Sequence, residues 1–400
     1  MRGVELAARR RDFPALAVKV NGRRLAYLDS AATALRPQAV IDAVTRVSTH
    51  DAGSPYRGVH ALAEAATTVV EHVRAEVARF LNATPGEIIF TSGATASINL
   101  VAQAWGRANL GPGDVVIATE LEHHSNLIPW QMICAERGAE LRLAPVNDDG
   151  RIAVDRIQLE RAKLLAVAHV SNVTGTIAPI AELARRAHAV GALLLVDGAQ
   201  AVAHLPVDVD ALGCDFYAFS AHKLYGPTGT GVLWGRPGIL DAMPPWQGGG
   251  GMIRSVGATT STYREAPTRF EAGTPNVVGI AGLGAAISYT NAIDMRTVHS
   301  DEARAHRALL AVIRAAGGRV LGAPELAVVS FELPRVHPHD IASIADGEGV
   351  ALRSGHHCAA LLHHRFGVAA SARVSVGCYT GDDDVAQLAQ ALAKIRDVFP

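Results

Sequence analysis

Lys223 lies between two apolar segments, where burying an unpaired charge would cost free energy. It follows the apolar run 215–219 and precedes the glycine-rich segment 226–231, after which apolar residues resume. A lysine between two segments of buried character must lose its charge, pair with an anion or be used covalently. Ser220 and His222 lie beside it and add a hydroxyl and an imidazole. The stretch therefore predicts a reactive amine at the mouth of a strand.

Two turns at predicted strand ends offer further polar groups. The turn 91–95 leads from a strand into a helix, and its free N–H groups, together with Ala94 and Thr95, form either an anion site or an ordinary helix cap. Asp197 and Gln200 follow another strand, at the end where open α/β sheets bind ligands. The aspartate would pair with a protonated ring nitrogen or cap a helix, and the sequence favours neither.

The adjacent residues His123 and His124 follow the predicted strand 114–118. Zinc is disfavoured, because neighbouring side chains on an extended chain point in different directions and acidic residues are missing at the ligand spacing typical of zinc sites. A histidine stacked on an aromatic ligand fits this context better. The sequence therefore predicts no metal site.

One of the four cysteines has a reactive setting. Cys358 lies in the loop 353–360, whose basic residues favour the thiolate, the reactive form of the side chain. Cys134, Cys214 and Cys378 have apolar contexts typical of buried cysteines. Four widely spaced cysteines without a CxxC pair indicate a reducing compartment rather than a disulfide framework.

Arg373 lies in a predicted strand with apolar neighbours on both sides. A buried arginine needs an anion. A substrate carboxylate and a structural salt bridge would serve equally well.

The elements that must position these residues alternate in type. Continuous apolar strands, among them 163–169 and 193–197, are separated by helices. This alternation predicts an α/β fold with a mostly parallel sheet covered on both faces. We expect a large domain over residues 21–285 and a smaller α/β domain made of residues 1–20 and 286–400.

The overall charge excludes some partners. The chain has 37 basic and 38 acidic residues and a net charge of -1, so it has no general attraction to nucleic acid or to anionic membranes. Its apolar runs are shorter than a membrane span requires, and its first residues do not resemble a secretory signal. These features predict a cytoplasmic enzyme that acts on a small molecule.

Five longer motifs occur in order along nearly the whole chain. They occupy residues 120–126, 169–175, 219–231, 269–276 and 353–359. Together they resemble the class V branch of fold-type I pyridoxal-phosphate enzymes, and within it the cysteine desulfurases of the Suf type. The resemblance implies a sheet of the seven-stranded type, pyridoxal 5'-phosphate (PLP) as cofactor, L-cysteine as substrate and a homodimer.

The resemblance also implies roles for individual residues. Lys223 would bind PLP covalently and act as a base, Asp197 would keep the ring nitrogen protonated, and Gln200 would reach the phenolic oxygen. His124 would stack on the ring and exchange protons near the sulfur. The other implied ligands are Ala94, Thr95, Ser220, His222 and Thr274 for the phosphate, the last in the neighbouring subunit, and Asn172, Arg373, Arg57 and Arg353 on the substrate side.

In the implied reaction the Cys358 thiolate attacks the substrate sulfur, carries it as a persulfide and passes it to an acceptor protein, with iron–sulfur cluster assembly as the destination. One alternative function is that of a selenocysteine lyase or another PLP-dependent lyase of the family. A second alternative is a non-catalytic protein that has kept the fold. The chain departs from the family at Ala96, Gly251 and Thr380, where glutamate, glutamate and asparagine are usual.

Overall fold

The computed structural model describes residues 2–399. Met1 and Pro400, both assigned by the sequence to the smaller domain, lie outside the described residues. The strands are β1 (Lys19–Val20), β2 (Arg23–Arg24), β3 (Ala26–Tyr27), β4 (Ile88–Thr91), β5 (Val115–Thr119), β6 (Glu140–Ala144), β7 (Ala162–Ala168), β8 (Leu193–Asp197), β9 (Phe216–Ser220), β10 (Gly231–Gly235), β11 (Ile253–Val256), β12 (Ser261–Tyr263), β13 (Arg319–Val320), β14 (Val328–Glu332), β15 (Val350–Ala351), β16 (Arg353–Gly355) and β17 (Ser371–Ser375). The helices are α1 (Arg2–Arg11), α2 (Gln38–His50), α3 (Ala61–Phe80), α4 (Ala94–Val101), α5 (Arg107–Asn109), α6 (Ile128–Arg137), α7 (Ile180–His188), α8 (Val209–Leu212), α9 (Pro237–Ala242), α10 (Val277–Ala292), α11 (Met295–Ala315), α12 (Pro338–Gly347), α13 (Ala360–Arg365) and α14 (Asp382–Val398).

Seven of the described strands form the central sheet, in the order β4-β10-β9-β8-β7-β5-β6. The strands from β9 to β6 run parallel, whereas β10 is antiparallel to both of its neighbours. Every residue of β5, β9 and β10 is buried, because apolar clusters cover both faces of the sheet. The predicted α/β fold with a mostly parallel, seven-stranded sheet is confirmed.

A smaller antiparallel sheet within the described chain has the strand order β13-β14-β17-β16. Its core includes Val374 of the sheet, Leu309 of α11 and Leu388 of α14. The edge strand β16 begins at Arg353, and Arg373 lies opposite it on β17. The smaller domain therefore carries two of the predicted substrate-binding arginines on adjacent strands.

Residues 26–29 pack against the C-terminal part of the chain. β3 pairs in parallel with β15, where Ala26 lies opposite Val350. Leu28 belongs to the same apolar core as Val374 and Leu388, and Asp29 forms a bridge with Ser375. The domain limit at residue 21 stays a prediction.

The helix α10 includes the predicted domain boundary at residue 285. It packs on α2 and α3, and its Leu283 and Ile287 lie in the apolar core beside the central sheet. A Cβ at Gly284 would lie 2.5 Å from Cγ2 of Val73, so glycine is needed for this close approach of α10 to α3. The boundary at residue 285 stays a prediction.

Among the helices of residues 2–399, no single one is both long enough and apolar enough to cross a membrane. The helices α10 and α11 have the necessary length and composition only as a pair, which is bent by 86°.

Candidate active site

A cavity of about 230 Å³ lies between the central sheet and the smaller domain. β8 and β9 end at it, as expected for a ligand site in an α/β sheet. It brings together eleven of the residues named from the sequence: Ala94, Thr95, Asn172, Asp197, Gln200, Ser220, His222, Lys223, Arg353, Cys358 and Arg373.

Lys223 follows β9 in a short helical turn and reaches into this cavity. Its Nζ donates hydrogen bonds to the backbone oxygens of Ala31 and Ala32. Burial, and then the positive charge of Arg373, lower the pKa of Lys223 from 10.5 to about 7. A large fraction of this amine is therefore neutral at neutral pH, as a nucleophile or base would require.

Asp197 ends β8 and is almost fully buried. Its Oδ1 accepts a hydrogen bond from the backbone N–H of Ala199 at 3.0 Å, and burial raises the pKa of the carboxyl group. Gln200 donates from Nε2 to the oxygen of Ala31 at 2.9 Å. A buried carboxylate at a strand end is stabilised by a cation, and the protonated ring nitrogen of PLP is a cation of the right kind.

The start of α4 forms a small polar cradle. The N–H of Ala94 donates to Oγ of Ser220 at 2.8 Å, and the hydroxyl groups of Thr95 and Ser125 lie 2.7 Å apart. A Cβ at Gly231 would lie 2.4 Å from the Cα of Gly93, so only glycine lets β10 run this close to the turn. Hydroxyl groups and a helix N-terminus together suit a phosphate group.

The two adjacent histidines have different surroundings. His123 lines the cavity, and burial together with nearby Lys223 lowers its pKa to about 4. The backbone N–H of His124 donates to the oxygen of Cys358 at 2.7 Å, and its Nε2 accepts from the N–H of Ala360 at 3.2 Å. His123 therefore lies at the cavity, while His124 contacts the segment that carries Cys358, and the role of His124 stays a prediction.

His222 lies on the other side of Lys223 and lines the same cavity. Burial, and then the charge of Lys223, lower its pKa to about 4. Its backbone oxygen accepts a hydrogen bond from the N–H of Ala34 at 2.8 Å. His222 is therefore a neutral imidazole at neutral pH, able to donate or accept one hydrogen bond.

Arg373 is positioned by a carboxylate that sequence reasoning missed. Its Nη2 donates to Oδ1 of Asp29 at 3.2 Å, and its Nη1 donates to the backbone oxygen of Asn172 at 3.0 Å. The Nε of Arg373 is buried and has no hydrogen-bond partner among the described residues. Arg353 also lies 3.9 Å from Asp29. Arg373 and Arg353 both line the cavity, so their positive charges suit an anionic group such as a carboxylate there.

Cys358 is the exposed thiol of the site. It and His357 both have left-handed backbone conformations, with φ of 55° and 49°. The side-chain amide of Asn172 donates to the oxygen of His357 at 2.7 Å, which ties this strained turn to the larger domain. Strain of this kind persists only where the surroundings hold it, and it is concentrated at functional sites.

The other three cysteines are buried, as predicted. Burial raises the pKa of Cys134 to about 11 and that of Cys214 and Cys378 to about 12. These thiols are therefore poor nucleophiles at neutral pH. Within residues 2–399, no group of three His, Cys, Asp or Glu side chains could hold a metal ion.

Arg57 and Thr274 lie apart from the Lys223 cavity. They line a second cavity together with Gly250 and Gly251. The family resemblance implied that Thr274 contributes to the site of a neighbouring subunit and that Arg57 lies near the entrance of the active site. In the single chain, both residues lie outside the Lys223 cavity.

The family model described as aminotransferase class-V matches residues 26–388. The chain belongs to this family of PLP-dependent enzymes, and PLP is its cofactor. The arrangement of Lys223, Asp197 and the α4 cradle around one cavity fits that cofactor.

Within the family, the chain belongs to the cysteine desulfurases. It is 49% identical over 397 residues to the cysteine desulfurase of Klebsiella pneumoniae (strain 342), with 98% of each chain covered. The cysteine desulfurase CsdA of Escherichia coli, solved in an S-sulfonic acid form, is 38% identical over 98% of each chain with a TM-score of 0.90. The apo cysteine desulfurase of Thermococcus onnurineus NA1 is 34% identical over 97% of each chain with a TM-score of 0.92.

Proposed function

We propose that the chain converts L-cysteine to L-alanine and keeps the sulfur as a persulfide on Cys358. The observation that carries this proposal is the exposed Cys358 thiol in the same cavity as the amine of Lys223. In the balanced reaction, L-cysteine and the Cys358 thiol give L-alanine and a Cys358 persulfide, so no external oxidant or reductant is needed.

The residues at the strand ends would hold PLP. Asp197 pairs with the ring nitrogen, Gln200 donates to the phenolic oxygen, and His123 rather than His124 packs on the ring. The phosphate ligands are the Ala94 N–H and the side chains of Thr95, Ser220 and His222, with Lys223 as the covalent anchor. When bound, the cofactor supplies a sink for the electron pair left at the substrate Cα.

Lys223 moves the proton at Cα in this proposal. A pKa of about 7 leaves part of the amine population unprotonated at neutral pH, so Lys223 can accept a proton there and return one later. Its contacts with the Ala31 and Ala32 carbonyls keep the amine beside the cavity when it is not covalently engaged.

The smaller domain would bind the substrate carboxylate. The guanidinium group of Arg373, a residue that lines the cavity, provides one donor, the side chain of Asn172 provides another, and Arg353 adds positive charge. Binding of the carboxylate at this position directs the thiol of the substrate toward Cys358. The Cys358 thiolate then attacks that sulfur, the bond from sulfur to Cβ breaks, and Cβ takes up a proton to give alanine.

We propose that two copies of the chain form a homodimer in which Arg57 and Thr274 of one subunit complete the Lys223 cavity of the other. Support comes from their position in a second cavity beside the glycine-rich segment 248–251, away from their own Lys223. As for the domains, we propose that the larger one spans residues 30–292, with the preceding and following residues in the smaller one.

We infer that the sulfur leaves the enzyme by transfer from Cys358 to an acceptor protein. An exposed persulfide on Cys358 suits transfer to an acceptor protein in a reducing compartment such as the cytoplasm, and we propose iron–sulfur cluster assembly of the Suf type as its use. The four free cysteines of the described chain are consistent with such a compartment.

The test is turnover of L-cysteine by the PLP-loaded enzyme. We expect alanine to form, and mass spectrometry to show one added sulfur atom on Cys358. Cys358→Ala should keep the absorption band of the bound cofactor and lose sulfur transfer, whereas Cys134→Ala, a matched buried thiol, should retain it. Pyruvate and ammonia as main products would exclude this function in favour of another lyase, and a large preference for selenocysteine over cysteine would favour selenocysteine lyase.

A further inference from the structure

Glu122 carries a buried carboxyl group at the carboxyl edge of the central sheet. Only 1% of this residue is exposed. It lies three residues after the end of β5 and directly precedes His123, which lines the Lys223 cavity. Burying a carboxyl group costs free energy, and neither the cofactor contacts nor the proposed reaction uses this one. Its hydrogen bonds therefore indicate what it does.

One oxygen of Glu122 joins two adjacent strands of the sheet. Its Oε1 accepts a hydrogen bond from the backbone N–H of Ala168 at 3.0 Å and lies 2.5 Å from Oγ1 of Thr119. Thr119 ends β5 and Ala168 ends β7, the neighbouring parallel strand. Ala168 also lies opposite Asp197 and lines the cavity. Glu122 therefore fixes its own segment to the strand ends beside Asp197.

The other oxygen of Glu122 closes the turn that carries His123. Its Oε2 accepts a hydrogen bond from Nδ2 of Asn126 at 2.6 Å, and Oδ1 of the same amide accepts from Nε1 of Trp130 at 3.1 Å. Within this turn, Nδ1 of His123 accepts from the N–H of Ser125 at 3.1 Å. The turn thus sets the orientation of the imidazole ring, and Glu122 is bonded to the turn at one end and to the sheet at the other.

The partners of Glu122 distinguish a carboxyl group from an amide. The backbone N–H of Ala168 can only donate. Trp130 donates to the amide oxygen of Asn126, so the NH2 group of that amide faces Glu122. Burial raises the pKa of Glu122 to about 8, and the proton of the neutral form has Oγ1 of Thr119 as its acceptor, so both protonation states keep the other two hydrogen bonds. A glutamine at this position would direct its own NH2 group at a donor.

We propose that Glu122 is a positioning residue for the cofactor, which acts through His123 by holding the turn 122–126 against the strand ends so that the imidazole packs on the PLP ring. This inference rests on the proposed function, in which His123 packs on that ring. Because Glu122 itself does not line the cavity, its loss should weaken PLP binding by no more than loss of the His123 ring.

The first test measures the dissociation constant of PLP by titration of the cofactor-free enzyme, followed by the absorption band of the bound cofactor. His123→Ala should raise the constant about three- to tenfold, as expected for the loss of one aromatic contact. Glu122→Gln should raise it by a similar factor or less and should weaken the circular dichroism of the same band. In the His123→Ala background, Glu122→Gln should add less than about twofold, because the ring through which it acts is gone.

The second test exchanges the two polar groups in the double variant Glu122→Gln/Asn126→Asp. The new amide can donate to the new carboxylate, which still accepts from Trp130, while the oxygen of the new amide still accepts from Ala168. Each hydrogen bond is thus possible again, with the same number of buried carboxyl groups. The dissociation constant of PLP should therefore return to within about twofold of the wild-type value, and the circular dichroism of the cofactor should recover with it.

Asp215→Asn is the matched control. Asp215 is a carboxyl group of similar burial that also contacts the central sheet, where its Oδ2 accepts from the N–H of Leu194 at 2.7 Å. It lies at the amino ends of β8 and β9, whereas the cavity lies at their carboxyl ends. Asp215→Asn should lower the stability and leave the dissociation constant of PLP unchanged. If Glu122→Gln does not fold, Thr119→Val, which removes one contact and keeps the side-chain shape, takes its place and should raise the constant about twofold in the presence of His123 only.

The outcomes separate this inference from the proposed function. An equal effect of Glu122→Gln in the presence and absence of the His123 ring, or no recovery in a folded double variant, would overturn the inference alone. An unchanged dissociation constant of PLP in His123→Ala would instead overturn the packing of His123 on the ring, on which both depend. Absence of alanine formation by the wild type would overturn the proposed reaction and leave these measurements of PLP binding intact.

Discussion

Lys223 should destabilise the enzyme when the cofactor is absent. A protonated amine in this cavity is poorly solvated, which is why burial lowers its pKa from 10.5 to about 7. Replacing it in Lys223→Met keeps most of the apolar side chain and removes the amine. We therefore expect the PLP-free variant to be more stable than the PLP-free wild type at neutral pH, which is typical of residues selected for chemistry rather than for stability.

The magnitude follows from the pKa. One pKa unit corresponds to about 1.4 kcal/mol, so the lowering from 10.5 to about 7 corresponds to about 5 kcal/mol for the protonated form. The variant also loses the hydrogen bonds to Ala31 and Ala32, about 1 kcal/mol each. Because part of the Lys223 side chain remains accessible to solvent, the net gain in the free energy of unfolding at pH 7 should be about 2 kcal/mol.

The difference in stability between Lys223→Met and the wild type should depend on pH. Below pH 7 the amine is protonated in both the folded and the unfolded chain, so the penalty is fully present. As the pH rises from about 7 toward 10.5, the folded protein holds a neutral amine while the unfolded chain stays protonated, and the wild type becomes relatively more stable. The advantage of Lys223→Met should therefore shrink steadily and be close to zero near pH 9.

The assay is urea unfolding of both PLP-free proteins at several pH values and at equal protein concentrations. The comparison requires that both proteins have the same slope of the free energy of unfolding against urea concentration. Lys163→Met is the control, since Lys163 is exposed and lies 3.8 Å from Asp114, and it should change stability by less than about 0.5 kcal/mol. A Lys223→Met variant that is destabilised equally at pH 7 and pH 9 would refute the argument that the amine is desolvated.

Two further predictions concern thiol reactivity and a buried ion pair. Iodoacetamide should label Cys358 rapidly in the native enzyme and leave the three buried cysteines unmodified, because burial raises the pKa of their thiols. Peptide mapping of the labelled enzyme measures which cysteines have reacted. Fast labelling of any buried thiol would contradict the prediction. Arg74→Met should lower the free energy of unfolding by about 3 to 5 kcal/mol, because Glu271 loses contacts of 2.8 and 2.9 Å to the guanidinium group. A double-mutant cycle with Glu271→Gln measures the coupling, and a value below about 0.5 kcal/mol would show that the pair does not act as a unit.

Much of the site could be predicted from local sequence. Lys223, Asp197 and Ala94 each directly follow or end a strand, and parallel strands in one sheet bring their carboxyl ends to the same edge. Because the strands are recognisable from their apolar runs, the sequence predicts that these residues lie close together. Cys358 was recognisable because its basic, glycine-containing loop is unlike the settings of the other cysteines.

The adjacent histidines show where local sequence is insufficient. His123 caps the short helical turn His124–Asn126, and its Nδ1 accepts a hydrogen bond from the N–H of Ser125 at 3.1 Å. This turn gives the two neighbouring rings different directions, so one lines the cavity and the other contacts the Cys358 segment. Sequence spacing alone cannot tell which is which.

The sequence by itself determined the fold class, because apolar periodicity is a local property, and the resemblance of its five motifs to a known family implied the cofactor. Tertiary structure alone decided the pairing of β3 with β15 and the anchoring of Arg373 by Asp29. These features depend on contacts between residues far apart in the chain, and such contacts exist only after the chain has folded.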